Sequence, residues 1–519
     1  MNQERILIVD YGGQYTHLIS RRCRELGVYA EIVPQNAVFK ESLLGGVRGV
    51  ILSGGPRTVS ESDLSEPFDT NQETLREQGI GVLGICFGHQ LLAKKLGANI
   101  DEGENPEYGQ TEITLSGNPS ILHGLEKAQH VWMSHSDQVS NPPDTMQVLA
   151  TSNEGHVAAF ASSDSRVFGV QFHPEVAHTP NGMTVLDAFL RDVCGYQHKW
   201  MPEDQIQEIT KQLTEEIGKE KVIMGTSGGV DSTVAAVLLQ HAIGNRLFCV
   251  FVDNGLLRFG EREEVESAFQ SMGFENFITV DAADEFLKNL DGIIDPEEKR
   301  RIIADTFIEV FERTAEQLRE EYGDFAFLGQ GTIYPDRVES AATGSATAVI
   351  KSHHNVKLPD WIRLSVVEPL KHFYKDEVRA VGEELGIPSE MISRQPFPGP
   401  SLAIRIGGPV TKNQLTILRQ ADRILQEEVR RDSIYPRIWQ SFCVLIPIRS
   451  VGVMGDERTY DQAVVLRIVE SRDAMTASVS RPNWDNLLRI ASRIANEVEG
   501  VNRVVYDITS KPPGTIEWY

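Results

Sequence analysis

The sequence predicts an α/β protein: two doubly wound domains on mostly parallel sheets, followed by a smaller mixed α/β C-terminal domain. Three observations carry that expectation. Residues 1–97 and 221–329 each alternate short apolar runs with amphipathic ones, the β-α-β pattern of a parallel sheet covered by helices on both faces. Each series opens on a buried-strand signature, Arg5-Ile-Leu-Ile-Val-Asp10 and Lys221-Val-Ile-Met-Gly225. A Pro/Gly cluster, Gln395-Pro-Phe-Pro-Gly-Pro400, then marks a boundary before the final segment.

In the first series, 5–10 reads as a strand, 14–26 as a helix, and 28–33, 49–53 and 81–86 as further strands. From 99 to 172 the runs are shorter and strand-like, as at 156–161 and 166–172, which predicts an antiparallel extension. A helix over 183–193 follows, then a linker at 197–204 and a charged helix. The second series has a helix over 230–242, with Val230, Val234, Val237 and Leu238 on one face. Its further strands fall at 246–252, 276–280 and 325–329. Residues 330–355 are rich in Gly, Ser, Thr and His and have little periodicity, the character of a functional lid or of a disordered segment. The final segment reads as a helix (411–431), strands near 442–448 and 463–469, a helix (484–498) and a strand (502–507). The expected domains are 1–199, 200–394 and 395–519.

Composition narrows the function. A chain of 519 residues holds roughly three or four domains of ~150 residues. A net charge of −24 argues against a nucleic-acid or anionic-membrane partner, because phosphate backbones select Lys and Arg. Small anionic substrates stay open, since main-chain N–H groups and a few cations can hold them. Cys23, Cys86, Cys194, Cys249 and Cys443 form no C-x-x-C pair, which predicts neither a disulfide framework nor a zinc site. No apolar run approaches the ~18 residues of a membrane span and none resembles a cleavable leader, so the expected location is cytoplasmic.

Four segments carry chemistry. Gly84-Ile85-Cys86-Phe87-Gly88, where a strand turns into a helix, has the form of a nucleophile elbow with Cys in place of Ser. The following helix aims its N-terminal dipole at the sulfur, which favours the thiolate form; the alternative is a Cys buried for packing. Gln171-Phe-His173-Pro-Glu175 supplies an imidazole and a carboxylate that could act as base and orienter. Read alone, it is an ordinary surface pair. Ser53-Gly54-Gly55-Pro56 is a tight turn placed to offer the Gly55 N–H to an oxyanion, with the Phe87 N–H as second donor. All three fall at the carboxyl ends of strands, where open α/β sheets place their sites.

The fourth segment, Gly225-Thr-Ser227-Gly228-Gly229-Val230-Asp231-Ser232-Thr233, is a glycine-rich turn at a helix start, an anion nest with hydroxyls from Ser227, Ser232 and Thr233. It lacks the Lys of a Walker A loop. Asp231 repels phosphate unless Mg²⁺ bridges the two, which suits departure of pyrophosphate as a Mg²⁺ complex. The plainer reading is a capped helix.

Residues 1–197 resemble the class I glutamine amidotransferases through the segments 84–90, 171–175 and 53–56. That resemblance implies a triad of Cys86, His173 and Glu175 that releases ammonia from glutamine through a γ-glutamyl thioester. Residues 225–233 resemble the PP-loop of the N-type ATP pyrophosphatases, implying that Ser227, Gly228, Gly229, Val230, Asp231, Ser232 and Thr233 bind ATP. The segments 250–258, 329–336, 350–355, 395–400 and 447–456 and the tail Lys511-Pro-Pro-Gly-Thr-Ile-Glu-Trp518 are similar to the GMP synthetase family over essentially the whole length.

The resemblance implies amination of XMP through an adenylyl intermediate: XMP, ATP, glutamine and water give GMP, AMP, pyrophosphate and glutamate. It implies ammonia shielded from water, XMP contacts from Arg258, Lys511, Ile516 and Glu517, and a homodimer through 395–519; Lys351 on the long loop is a candidate for closing over ATP phosphates, its plainer reading being a solvated lid residue. Departures from the family pattern fall at Val356-Lys-Leu-Pro359, Ser401 (usually Gly), Glu457 (usually Gly) and Tyr519 (usually Glu), and the Tyr519 side chain is expected to matter little. A glutamine-dependent NAD synthetase would share the PP-loop but not the amidase half. A tRNA-thiolating PP-loop enzyme fits the acidic balance poorly, and a non-catalytic regulator would usually lose a triad residue or the PP-loop Asp.

Overall fold

The structure, a computed structural model, describes residues 4–36, 41–59, 75, 77–116, 121–197, 199–336, 364–454, 457–471 and 476–519. The chain falls into two compact units, Met1–Asp204 and Gln205–Tyr519.

Among the described residues the first unit holds a nine-stranded sheet: β1 (Arg5–Asp10), β2 (Ala30–Pro34), β3 (Val47–Leu52), β4 (Gly81–Ile85), β5 (Asn99–Leu115), β6 (Ala128–Ser140), β7 (Met146–Ser152), β8 (Val157–Ser162) and β9 (Val167–Val170). Their order is β2-β1-β3-β4-β9-β8-β7-β5-β6. The β2 to β9 half is parallel and the β8 to β6 half antiparallel, as expected from the sequence. Successive residues of β1 serve different cores: Ile6 and Ile8 pack in one cluster, Leu7 and Val9 in another. A strand buried on both faces has to be apolar throughout, which is why 5–10 reads as an unbroken run. Helices α1 (Thr16–Glu25), α2 (Phe87–Lys95) and α3 (Gly182–Ala188) follow strands of this sheet.

The extension departs from expectation in length. β5 and β6 are 17 and 13 residues long and pair from Asn99↔Ser140 to Thr114↔Ala128, with a register shift between Glu102 and Glu107. Among the described residues β5 meets β7 only at Ile113–Leu115, so most of it is one arm of a two-stranded ribbon. A ribbon does not need alternating apolar residues to stay extended, and Asp101, Glu102, Pro106 and Glu107 hide it from a pattern search.

In the second unit β10 (Val222–Thr226), β11 (Leu247–Asp253), β12 (Phe277–Asp281), β13 (Phe327–Gly329) and β14 (Ser365–Val367) form a parallel sheet in the order β12-β11-β10-β13-β14. Helix α4 (Val230–Ile243) follows β10, and α5 (Pro296–Tyr322) runs 27 residues. Asp295 caps α5 by accepting from the Glu298 N–H at 2.9 Å, Pro296 stands at its first turn, and Gly323 ends it at φ 85°. Helix α6 (Lys375–Glu384) follows β14.

Helix α7 (Lys412–Arg430) then packs on a mixed sheet of β15 (Ile438–Met454), β16 (Glu457–Glu470), β17 (Ser478–Val479) and β18 (Val501–Tyr506), with α8 (Trp484–Glu497) beside it. One apolar core runs from Ile223, Phe248 and Val250 through Leu402, Leu418 and Ile424 to Leu445, Val464 and Ile490. The Pro/Gly cluster at 395–400 therefore joins two sheets that share a core. No helix of the described residues is long and apolar enough to cross a membrane.

Candidate active sites

In the first unit β4 delivers the chain into a turn at Cys86, with φ 53° and ψ −104°. A non-glycine residue there carries strain of roughly 1–3 kcal/mol, which its surroundings must hold in place. Both elbow glycines are sterically required. A Cβ on Gly84 would lie 2.3 Å from the Gly88 carbonyl oxygen, and one on Gly88 would lie 2.4 Å from that of Leu52.

His173 and Glu175 follow β9. Glu175 Oε1 lies 2.6 Å from His173 Nδ1, and both side chains are buried. Burial opposes charge on the imidazole, but the Glu175 carboxylate and hydrogen bonds to Cys86 and Glu175 outweigh it, raising its pKa from 6.5 to about 10. These contacts favour the protonated form of the ring. Main-chain anchors fix this loop: Thr179 Oγ1 donates to the His173 carbonyl at 2.7 Å and Arg22 Nε to that of Glu175 at 2.9 Å.

The SGGP turn closes the site. A Cβ on Gly54 would lie 3.3 Å from His173 Cε1 and 3.7 Å from Cys86 Cβ, so this turn, Cys86 and His173 share one corner. Gly55 packs on Tyr11 and Phe87. The elements thus bring together every residue that the sequence singled out for glutamine chemistry.

In the second unit the β10–α4 turn forms the PP-loop. Gly228 sits at φ 71°, and a Cβ there would meet Val265 Cγ2 at 2.4 Å. Ser227 and Ser232 hydroxyls lie 3.2 Å apart, and Gly229 N–H donates to Ser227 Oγ at 3.3 Å. Thr233 is fully buried and its hydroxyl donates to the Gly229 carbonyl at 2.8 Å, a bond that shapes the loop. Val230 is likewise buried.

Asp231 Oδ2 lies 3.3 Å from Lys375 Nζ at the start of α6, while Oδ1 has no hydrogen-bond partner among the described residues. Arg394 Nη1 props the Gly228 carbonyl at 3.1 Å. Lys375 and Arg394 escaped the sequence reading, because a lone basic residue on an amphipathic helix or loop looks solvated. Among the described residues no group of three or more His, Cys, Asp or Glu is placed to hold a metal ion. One carboxylate with a free oxygen does suit Mg²⁺, which takes one or two protein carboxylates and completes its shell with substrate phosphates and water.

The third site surrounds the tail. Glu517 accepts from Arg405 Nε at 3.1 Å and Nη2 at 2.8 Å, and from Gln440 Nε2 at 2.8 Å. Arg405 is fully buried over Phe442 at 4.0 Å and Phe397 at 5.1 Å, and Arg258 lies over Phe397 at 4.3 Å. Among the described residues Arg258 Nε and Nη2 and Arg405 Nη1 have no hydrogen-bond partner. Desolvation lowers the Arg258 pKa, with Asp422 at 3.8 Å opposing it. Ile516 packs with Phe442, Val444, Val465, Val469 and Ala477. The Lys511 main chain bridges to Ala477, accepting at 3.0 Å and donating at 2.8 Å.

Fully buried Arg467 donates to the carbonyls of Thr509, Thr515 and Ile516, so the tail is a held segment. Arg405, Gln440 and Arg467 were also missed. Two of them left a signal, a charge inside an apolar run: Leu402-Ala-Ile-Arg405-Ile406 and Val464-Val-Leu-Arg467-Ile-Val469. Tyr519 is half-buried beside Gly407, and its main-chain oxygen accepts from Arg300. Ser401 adopts φ 56°, the backbone a glycine would adopt freely. Lys351 and the departure at 356–359 lie outside the described residues.

Family models match this chain at residues 7–193 (glutamine amidotransferase class-I), 203–273 (NAD synthase) and 427–518 (GMP synthase C terminal domain). Proteins named GMP synthase (glutamine-hydrolyzing) from Clostridium kluyveri and Aquifex aeolicus are each 48% identical over 519 residues, all of this chain and all of theirs. The protein of the same name from Geobacillus kaustophilus is 49% identical over 520 residues, again covering both chains in full. With an amidotransferase elbow, a PP-loop and the C-terminal segment in one chain, matched end to end, the chain belongs to the glutamine-hydrolysing GMP synthase family.

Proposed function

We propose that this protein makes GMP by ATP-dependent amination of XMP with ammonia taken from glutamine. The observation that carries the reading is the pairing, in one chain of this family, of the Cys86–His173–Glu175 array with a PP-loop that lacks the Walker lysine.

Cys86 Sγ attacks the glutamine carboxamide carbon. The oxyanion is received by the N–H groups of Gly55 and Phe87, and the proton on His173 goes to the departing nitrogen. Water then cleaves the thioester to glutamate, with His173 as base. At the second site the xanthine 2-oxygen attacks the ATP α-phosphate and pyrophosphate leaves. Gly228, Gly229, Ser227 and Ser232 cradle the phosphates, and Lys375 neutralises charge beside Asp231. Adenylylation turns a poor leaving group into AMP, and ammonia replaces it at C2. Asp231 would hold Mg²⁺, which supplies charge neutralisation to the pyrophosphate. Arg258, Lys511, Ile516 and Glu517 hold XMP, joined by Arg405. Lys351 remains the candidate for closing over ATP.

The proposed domains are 1–199, 200–394 and 395–519, the last also forming a homodimer. Exposed Ile448, Val451, Val453 and Tyr460 on β15 and β16 support that, since they leave apolar surface for a second copy. Five free, buried cysteines suit a reducing cytoplasm. AMP release that depends on XMP, with glutamine or ammonium as nitrogen donor, tests the reading; AMP release indifferent to XMP would overturn it.

A further inference from the structure

Lys299, on the first turns of α5, is 1% exposed. Its Nζ donates to three main-chain carbonyls: Ala403 at 3.2 Å, Ile406 at 2.7 Å and Gly408 at 2.7 Å. An ammonium has three protons and no acceptor, so these bonds saturate it. A lysine is rarely buried this completely unless its charge is met. The carbonyls bracket Arg405, whose side chain leaves the same short segment to hold Glu517. The neighbouring Arg300 donates to the carbonyl of Tyr519, and a Cβ on Gly407 would come 2.4 Å from the Tyr519 hydroxyl. Consecutive residues of one helix therefore grip both walls of the tail site, the 403–408 segment and the chain's last residue.

We propose that Lys299 and Arg300 are positioning residues for XMP: through main-chain carbonyls they set Arg405 against Glu517 and so fix the nucleotide site from the helix that packs on the ATP-site sheet. Neither touches substrate. The inference rests on the reading above that Arg405 and Glu517 hold XMP. A purely structural lysine would be felt in stability alone or in every kinetic constant together. A positioning pair acts selectively on XMP.

The test is steady-state kinetics of the full chain with ammonium as nitrogen donor, varying XMP and ATP separately, on Lys299→Met, Arg300→Gln and, as a control, Glu517→Gln. Expected are a rise in KM for XMP of about tenfold or more in Lys299→Met and a smaller rise in Arg300→Gln, with KM for ATP and basal glutaminase held within about twofold. Should Lys299→Met not fold, Arg300→Gln decides. If Glu517→Gln raises KM for XMP and the folded α5 variants do not, the positioning role is wrong. If Glu517→Gln also leaves it unchanged, the XMP site itself is misplaced. A parallel rise in both KM values would reduce Lys299 to a structural lysine.

Discussion

Glu517 and Arg405, 112 residues apart in sequence, meet through a two-bonded carboxylate–guanidinium contact at 2.8 and 3.1 Å, with the arginine fully buried. Buried Arg467 holds the same segment through the carbonyls of Thr509, Thr515 and Ile516.

Deleting residues 511–519 should therefore suppress synthesis with both nitrogen donors and leave glutaminase intact. Arg405 would lose its partner and stay buried, a change of roughly 3–5 kcal/mol when such a pair is broken from one side. Glu517 is 20% exposed, so the effect should fall in the lower part of that range. Kinetics with XMP varied measure it. Removing Tyr519 alone should raise KM for XMP by roughly threefold, because its packing and its carbonyl contact with Arg300 are lost together; no change would show the residue to be idle.

The pH dependence of glutaminase should follow His173. Its pKa is raised from 6.5 to about 10, so the folded protein holds this proton more tightly than the unfolded chain. The stability it contributes is complete below pH 6.5 and is lost as pH rises through 10. Glu175→Gln removes the opposite charge, so the alkaline limb of the glutaminase profile should move down by about 1–3 units. The rate at neutral pH should fall by about two orders of magnitude. An unmoved limb would mean that Glu175 does not set the imidazole's charge.

Asp231→Asn should damage both donor routes alike, by about 100-fold in kcat, while basal glutaminase persists. Among the described residues its Oδ1 has no hydrogen-bond partner and its Oδ2 meets Lys375, so the amide loses both the proposed cation contact and the ion pair. Ammonium-dependent synthesis at the wild-type rate would remove the PP-loop from the mechanism.

Legibility in the sequence followed locality. Cys86, His173 and Glu175, the SGGP turn and residues 227–233 were readable because each belongs to a short segment whose glycines and strand-to-helix position dictate its shape. α5 carries a start signature in Asp295-Pro296-Glu297-Glu298 but little helical periodicity, since its apolar positions, such as Ile303, Val310 and Leu318, are spread among charged neighbours. Lys299, Lys375, Arg405 and Arg467 act only through partners far along the chain, such as Asp231, 144 residues from Lys375. Spacing cannot show such contacts; a charge inside an apolar run is the most that it leaves. The ribbon of β5 and β6 is hard to read because half of the buried positions of β6, Gln129, His135 and Asp137, are polar, so its alternating burial leaves no apolar alternation.

The most direct test of two separate chemistries in one chain is nitrogen-donor choice in Cys86→Ala. The substitution removes the sulfur and nothing in the PP-loop or tail site. GMP formation with glutamine should vanish, while formation with ammonium stays within about twofold of wild type. Equal loss with both donors would contradict the account.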